Sequence, residues 1–254
     1  MTLFLTSSPC IGWAGDLNPA NGFLAKLRKA LPHPLHCLMI SSAPDDKEMT
    51  DRMAWDMREI FGRADLTFDK YEVLDRRTQR YAARMICDAN FIILCGGHVP
   101  TENKFFKELH LRARLSRFEG VIMGISAGSM NAADLVYASP ELDGESLDPN
   151  YKIYLHGLGF TDVNILPHFE MIRESRLDGR LLIDDIVARH SYSHPVYCLN
   201  DGTYLLITNA EKKEKKRTEL HGEAYRMKDG KLELICHDGE CKLICKNGSL
   251  RIVK

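Results

Sequence analysis

The chain has 254 residues, 44% of them hydrophobic, and a formal net charge of −1. That is enough apolar material for one full α/β core, alone or with a small appendage. The near-neutral balance gives no electrostatic case for binding nucleic acid or a membrane surface, and no apolar run is long enough to span a bilayer.

In chain order, Met1–Pro9 lacks a basic region and is too short for a signal peptide, so Leu3 to Ser7 is read as a first strand. A cytoplasmic setting is expected, with reduced and mostly buried thiols at Cys10, Cys37, Cys87, Cys95, Cys198, Cys236, Cys241 and Cys245. Asn18 to Ala30 has helical apolar spacing, and Cys37 to Ser41 is a second strand. Asp45 to Phe61 predicts a long amphipathic helix, Leu66 to Leu74 a weaker strand, and Arg76 to Asp88 another helix. Asn90 to Cys95 is an apolar strand that runs into Gly96-Gly97-His98, after which Thr101 is expected to cap a helix reaching Arg117. Strands alternating with helices predict an α/β fold: a doubly wound, mostly parallel sheet with helices on both faces. Ligands in such folds sit at the carboxyl ends of strands.

Gly120 to Asn131 is the most informative stretch. The apolar run Val121-Ile122-Met123 reads as a buried strand. Gly124-Ile-Ser126-Ala-Gly128 follows, and then residues compatible with a helix. In strand–turn–helix context, G-x-S-x-G lets a serine take a strained turn and project its hydroxyl above the sheet. Ser126 is therefore the candidate nucleophile.

Ala138 to Asn150 is polar and rich in turn residues, and is expected to cover or border the site, with Glu141 facing substrate. Val163 to Leu166 is a short strand leading to Pro167-His168-Phe169-Glu170, and Ile172 to Arg189 is read as a helix with Asp178-Gly179 as a blemish. Val196 to Leu199 and Thr203 to Thr208 are strands around Asn200-Asp201-Gly202, and Lys212 to Arg217 reads as a solvated charge run. Beyond Glu219, Asp229-Gly, Asp238-Gly and Asn247-Gly predict C-terminal β-hairpins. Residues 211–254 are expected to form an extension packed on a main unit of residues 1–210. Cys236-His237, Cys241 and Cys245 raise a zinc reading, but strand-like residues flank the turn at His237–Gly239, so no metal is expected.

A serine nucleophile needs a base within hydrogen-bond reach and an acid to orient that base. Of ten histidines, His33, His36, His190 and His194 sit at turns or helix ends. His98 and His168 follow strands, and His168 would lie level with Ser126, which makes it the candidate base. Glu170 and Asp201 are both placed to orient it, and spacing does not choose between them. The N–H of Ala127 and that of Gly97 or His98 are candidates for an oxyanion hole, with His98 on the pocket wall.

In order along the chain, Cys95-Gly-Gly-His98, Gly124-Ile-Ser-Ala-Gly128, Leu166-Pro-His-Phe169, Arg173-Glu-Ser-Arg176 and Leu199-Asn-Asp-Gly202 resemble the dipeptidase E and cyanophycinase family of serine peptidases. That family shares its architecture with class I glutamine amidotransferases, and the resemblance covers roughly residues 1 to 210. It implies Ser126 as nucleophile and His168 as base. The family's acid is a glutamate in a Pro-Glu-Gly turn, so the resemblance favours Asp201, in Asn200-Asp201-Gly202, over Glu170. It also suggests Arg173 as a binder of a substrate carboxylate. The chain departs from the family at His98, where dipeptidase E has a further glycine. The expected function is a serine exopeptidase for short peptides, without metal or organic cofactor, acting as a monomer or homodimer. The alternatives are a catalytically silent protein of the same fold, an esterase, whose order would be serine, acid, histidine, and an amidotransferase, which would carry cysteine on the elbow.

Overall fold

The computed structural model describes residues 1–12, 15–209, 216–245 and 248–253. The first half of the chain alternates strands and helices: β1 (Thr2–Thr6), α1 (Phe23–Ala30), β2 (His36–Ile40), α2 (Lys47–Arg63), β3 (Lys70–Leu74), α3 (Ala82–Asp88), β4 (Phe91–Leu94), α4 (Val99–Glu108), α5 (Leu111–Leu115) and β5 (Val121–Ile125). The five strands are parallel and stand in the order β3-β2-β4-β5-β1.

Alternate side chains of each strand point to opposite faces, and apolar residues at both parities create two cores. Leu3, Leu38, Ile92 and Ile122 face one core, where α3, α4 and α5 pack with Met85, Phe105 and Leu115. Phe4, Met39, Ile93 and Met123 face the other, against Leu27 of α1 and Phe61 of α2. Apolar runs without polar alternation therefore encode a sheet covered on both faces, and the doubly wound architecture is as the sequence predicts.

The second half follows as α6 (Ala127–Met130), β6 (Leu135–Tyr137), β7 (Tyr154–His156), β8 (Asn164–Leu166), α7 (Phe169–Ile172), β9 (Arg176–Leu177), β10 (Arg180–Leu181), a π-helical segment (Leu182–Val187) and α8 (Ala188–His190). Then come β11 (Val196–Leu199), β12 (Tyr204–Thr208), β13 (Arg217–His221), β14 (Ala224–Lys228), β15 (Lys231–Cys236), β16 (Cys241–Ile244) and β17 (Leu250–Ile252). Strand β12 adds antiparallel to β1, and β13, β16 and β17 extend it into a nine-stranded sheet. A second sheet has the order β15-β14-β11-β8. The chain passes between the two sheets at Asn200–Gly202, at Gly222 and at Asp238–Gly239, and each passage has a glycine at positive φ (84°, 96° and 76°).

Several expected elements differ. The helix assigned to Thr101–Arg117 starts at Val99, because Pro100 fits a first helical turn and has no N–H to lose. It breaks at His110, with φ 49°, between α4 and α5. The first half of the helix assigned to Ile172–Arg189 is absent, from Arg173 to Leu181. Asp178 and Gly179, with φ 52° and 79°, turn the chain between β9 and β10, and helical structure resumes at Leu182. Two successive positive φ values suit an Asp-Gly hairpin turn, which apolar spacing alone conceals. Asp229-Gly230 joins β14 to β15 in the expected hairpin, whereas Asp238-Gly239 is a crossing between sheets. Asn247 and Lys212 to Lys215 lie outside the described residues.

Candidate active site

Strands β4 and β5 end side by side, with Leu94 opposite Gly124, so the loops at Gly96-Gly97 and Ser126 are neighbours. Ser126 has φ 49° and ψ −111°, a conformation that a non-glycine residue holds only where its surroundings enforce it. Its N–H donates to the carbonyls of Thr6 (3.1 Å) and Ser7 (3.2 Å) at the end of β1. Both elbow glycines are required by close approach. A Cβ on Gly124 would lie 2.9 Å from Ser129 Cα, and one on Gly128 only 2.3 Å from the Leu94 carbonyl oxygen. Among the described residues, the N–H groups of Gly97 and Ala127 donate no hydrogen bond.

His168 follows β8 in a left-handed conformation, φ 57° and ψ 33°. Its Nδ1 lies 2.8 Å from Asp201 Oδ1, and Asp201 stands in the turn that carries the chain from β11 to β12. Ser7 joins the two: its hydroxyl accepts the His168 N–H at 2.7 Å and donates to Asp201 Oδ1 at 2.7 Å. Burial pushes the Asp201 carboxyl up, but the hydrogen bonds from His168 and Ser7 and the His168 charge outweigh it and hold the pKa below its ordinary value. Glu170, the other acid considered, accepts the backbone N–H of Asp201 on both carboxylate oxygens (2.9 and 3.0 Å). It therefore anchors the turn that presents Asp201.

Ser126, His168, Asp201, Gly97 and Glu141 all line one cleft of about 460 Å³. Its far wall is a face of α2, where Met49, Met53 and Met57 recur every fourth residue with Asp56 beside them, and Met171 of α7 adds to the apolar lining. No lysine or arginine among the described residues lines it. Desolvation raises the Glu141 carboxyl above its ordinary pKa, against the pull of the His98 imidazole, although the residue as a whole stays exposed.

Two sequence candidates stand outside the cleft lining. His98 bonds Thr101 Oγ1 through Nδ1 and Glu145 Oε1 through Nε2, both at 2.8 Å. Glu145 Oε2 in turn accepts the N–H groups of Glu141 and Leu142, so His98 reaches the cleft only by fixing the loop that carries Glu141. From the opposite side, Asp178 accepts the N–H groups of Gly144 and Ser146. Arg173 lies over the rings of Phe169 and Tyr225, 5.7 and 5.9 Å from their centroids.

Sequence reading missed Ser7, which looked like a small residue at a strand end. It also missed the methionine face of α2, whose i, i+4, i+8 spacing was legible within the amphipathic helix expected there. Behind the elbow, Glu102 is fully buried. One carboxyl oxygen accepts from Asn131 Nδ2 at 2.8 Å and the other has no partner among the described residues. Burial pushes its pKa well up, against that hydrogen bond.

A doubly wound α/β sheet with a strained serine after its central strand, and an imidazole–carboxylate pair in the same cleft, has the form of a serine-hydrolase scaffold. The model of peptidase family S51 matches residues 4–215, and the chain belongs to that family of serine peptidases. No curated protein matches the chain. Among solved structures, it is similar to a peptidase from an acI-B1 actinobacterium, at 16% identity and a TM-score of 0.60, over 94% of this chain and 95% of that one. It is also similar to a Listeria monocytogenes EGD-e protein provisionally described as a peptidase E, at 16% identity and a TM-score of 0.56, over 85% and 96% of the two chains. At that identity the structural likeness shows the fold.

Proposed function

We propose that this chain is an exopeptidase that cleaves short peptides with a free amino terminus and a large apolar side chain, through a Ser126–His168–Asp201 triad. The observation that carries the reading is the hydrogen bond from His168 Nδ1 to Asp201 in a cleft shared with the strained Ser126. With Nδ1 engaged, Nε2 is the ring nitrogen that serves the hydroxyl. Ser126 Oγ attacks the scissile carbonyl as His168 takes its proton. The N–H groups of Ala127 and Gly97 hold the oxyanion, which matters most where charge develops. Collapse expels the amine, protonated by His168, and leaves an acyl-enzyme on Ser126. Water, deprotonated by His168, then releases the acid. Each step uses side chains, these backbone N–H groups and water.

The substrate class rests on the lining. Methionine fills irregular apolar space adaptably, so the α2 wall suits a range of large apolar side chains. Carboxylates of Glu141 and Asp56, without a lysine or arginine among the described lining residues, favour an ammonium group over a substrate carboxylate. On this reading a peptide beginning with aspartate is a poor substrate. The test is a panel of unblocked di- and tripeptides with varied first residues, with Ser126→Ala as control. Leucine- or phenylalanine-led peptides are expected to be cleaved by wild type only. Equal release by wild type and Ser126→Ala refutes the mechanism, and cleavage confined to internal bonds of blocked peptides refutes the exopeptidase assignment.

A further inference from the structure

Strands β13 and β16 bring three metal-ligating side chains together, and none of the three lines the cleft. Glu219 and His221 are two residues apart on β13 and so share a sheet face, while Cys241 lies directly opposite His221 in the antiparallel register. Glu219 Oε2 is 3.0 Å from His221 Nε2, Cys241 Sγ is 3.6 Å from the same nitrogen, and Sγ is 3.9 Å from Oε2. Tetrahedral zinc with Zn–S of about 2.3 Å and Zn–N and Zn–O of about 2.1 Å sets ligand-to-ligand edges at roughly 3.4–3.6 Å. The three observed edges bracket that range.

The arrangement is convergent. A nucleophile–base–acid relay would put thiol and carboxylate on opposite ring nitrogens, whereas here both meet Nε2. The other Glu219 oxygen is engaged by Arg217 Nε at 2.6 Å, which leaves Oε2 for the common point. The imidazole is only 6% exposed, and it is stacked on Tyr204 with ring centroids 4.8 Å apart and planes at 11°. The charges of Arg217 and Lys26 act on the cluster, so a cation there depends on both a carboxylate and a thiolate.

We propose that Glu219, His221 and Cys241 bind one zinc-class divalent cation, with solvent as fourth ligand, and that the ion staples β13 to β16. Binding displaces the thiol proton to solvent and forms the metal–sulfur bond. The site is independent of the peptidase reading.

The test is a cobalt(II) titration of the chelator-treated full chain, with circular dichroism to confirm that each variant is folded. Wild type is expected to take up one cobalt per chain with a thiolate-to-cobalt charge-transfer band, which zinc abolishes. Cys241→Ser should lose the band, and His221→Gln should bind at least about 100-fold more weakly, since even outer-sphere losses cost 10–100-fold. Cys245→Ser should behave as wild type. Should Cys241→Ser fail to fold, Glu219→Gln serves instead, with binding weakened at least about tenfold. Zinc should raise the melting temperature of wild type and of Ser126→Ala alike. Absence of a thiolate band in folded wild type, or its persistence in Cys241→Ser, overturns the proposal.

Discussion

Ser7→Ala is a demanding perturbation because it touches the hydrogen-bonded frame of His168 and Asp201 without altering either. Ser7 is fully buried, and its hydroxyl both accepts from the His168 N–H and donates to the Asp201 carboxylate. Alanine removes both bonds. A buried donor left without an acceptor costs about 1–3 kcal/mol and a lost bond to a charged group about 1.5–3 kcal/mol; relaxation makes these overlap, so the sum is roughly 2–4 kcal/mol. For a chain of this size that lowers Tm by about 4–16 °C. Asp201 has a depressed folded pKa, so its stabilisation is present above the unfolded carboxyl value of about 3.9 and is lost as pH falls through the folded value. Without the Ser7 bond the folded pKa rises, and acid unfolding begins at higher pH. The His168–Asp201 bond remains, so kcat/KM should fall only about 10–100-fold, or 1.4–2.7 kcal/mol. Thermal melts across acid pH and peptide kinetics read all three effects. Wild-type melting, acid limb and kcat/KM together would refute the coupling of Ser7 to the pair.

Three further changes probe other parts of the account. Asp201→Asn keeps the shape but removes the charge and favours the wrong imidazole tautomer; kcat should drop about 10⁴-fold with little change in KM, measured on the best peptide of the panel. Met53→Arg places a cation on a wall that has none among its described residues, and should shift the kcat/KM ratio of aspartate-led to leucine-led peptides by at least about tenfold towards aspartate. Glu102 has a raised folded pKa, so the native state binds more protons than the unfolded one and stability falls as pH rises above about 4.3. Glu102→Gln removes that loss. Urea melts should show the variant more stable than wild type at pH 8 and without advantage at pH 4, and an equal effect at both would contradict a neutral buried carboxyl.

The strand–helix alternation was legible because buried parallel strands are apolar at both parities and their helices carry spaced apolar residues. The elbow was legible because its two glycines answer to contacts that a Cβ would occupy, at Ser129 and at the Leu94 carbonyl. The choice between Asp201 and Glu170 was not, since Glu170 is bonded to the Asp201 backbone and the two act at one turn. Ser7 left no signal, because its role depends on β1 meeting segments more than 160 residues away. The first half of the helix expected over Ile172–Arg189 failed because an Asp-Gly turn outweighed apolar spacing. The His221–Cys241 cluster was hidden for a related reason: the pattern along the chain grouped Cys241 with Cys236, His237 and Cys245, while sheet register pairs it with a histidine 20 residues earlier.

The central claim is that Ser126 is a nucleophile activated by His168. Mass spectrometry of the chain after reaction with a fluorophosphonate tests it directly. One adduct per chain on the peptide containing Ser126, lost in His168→Ala, is the predicted result. Folded wild-type protein that stays unmodified, or is modified at another residue, would contradict it.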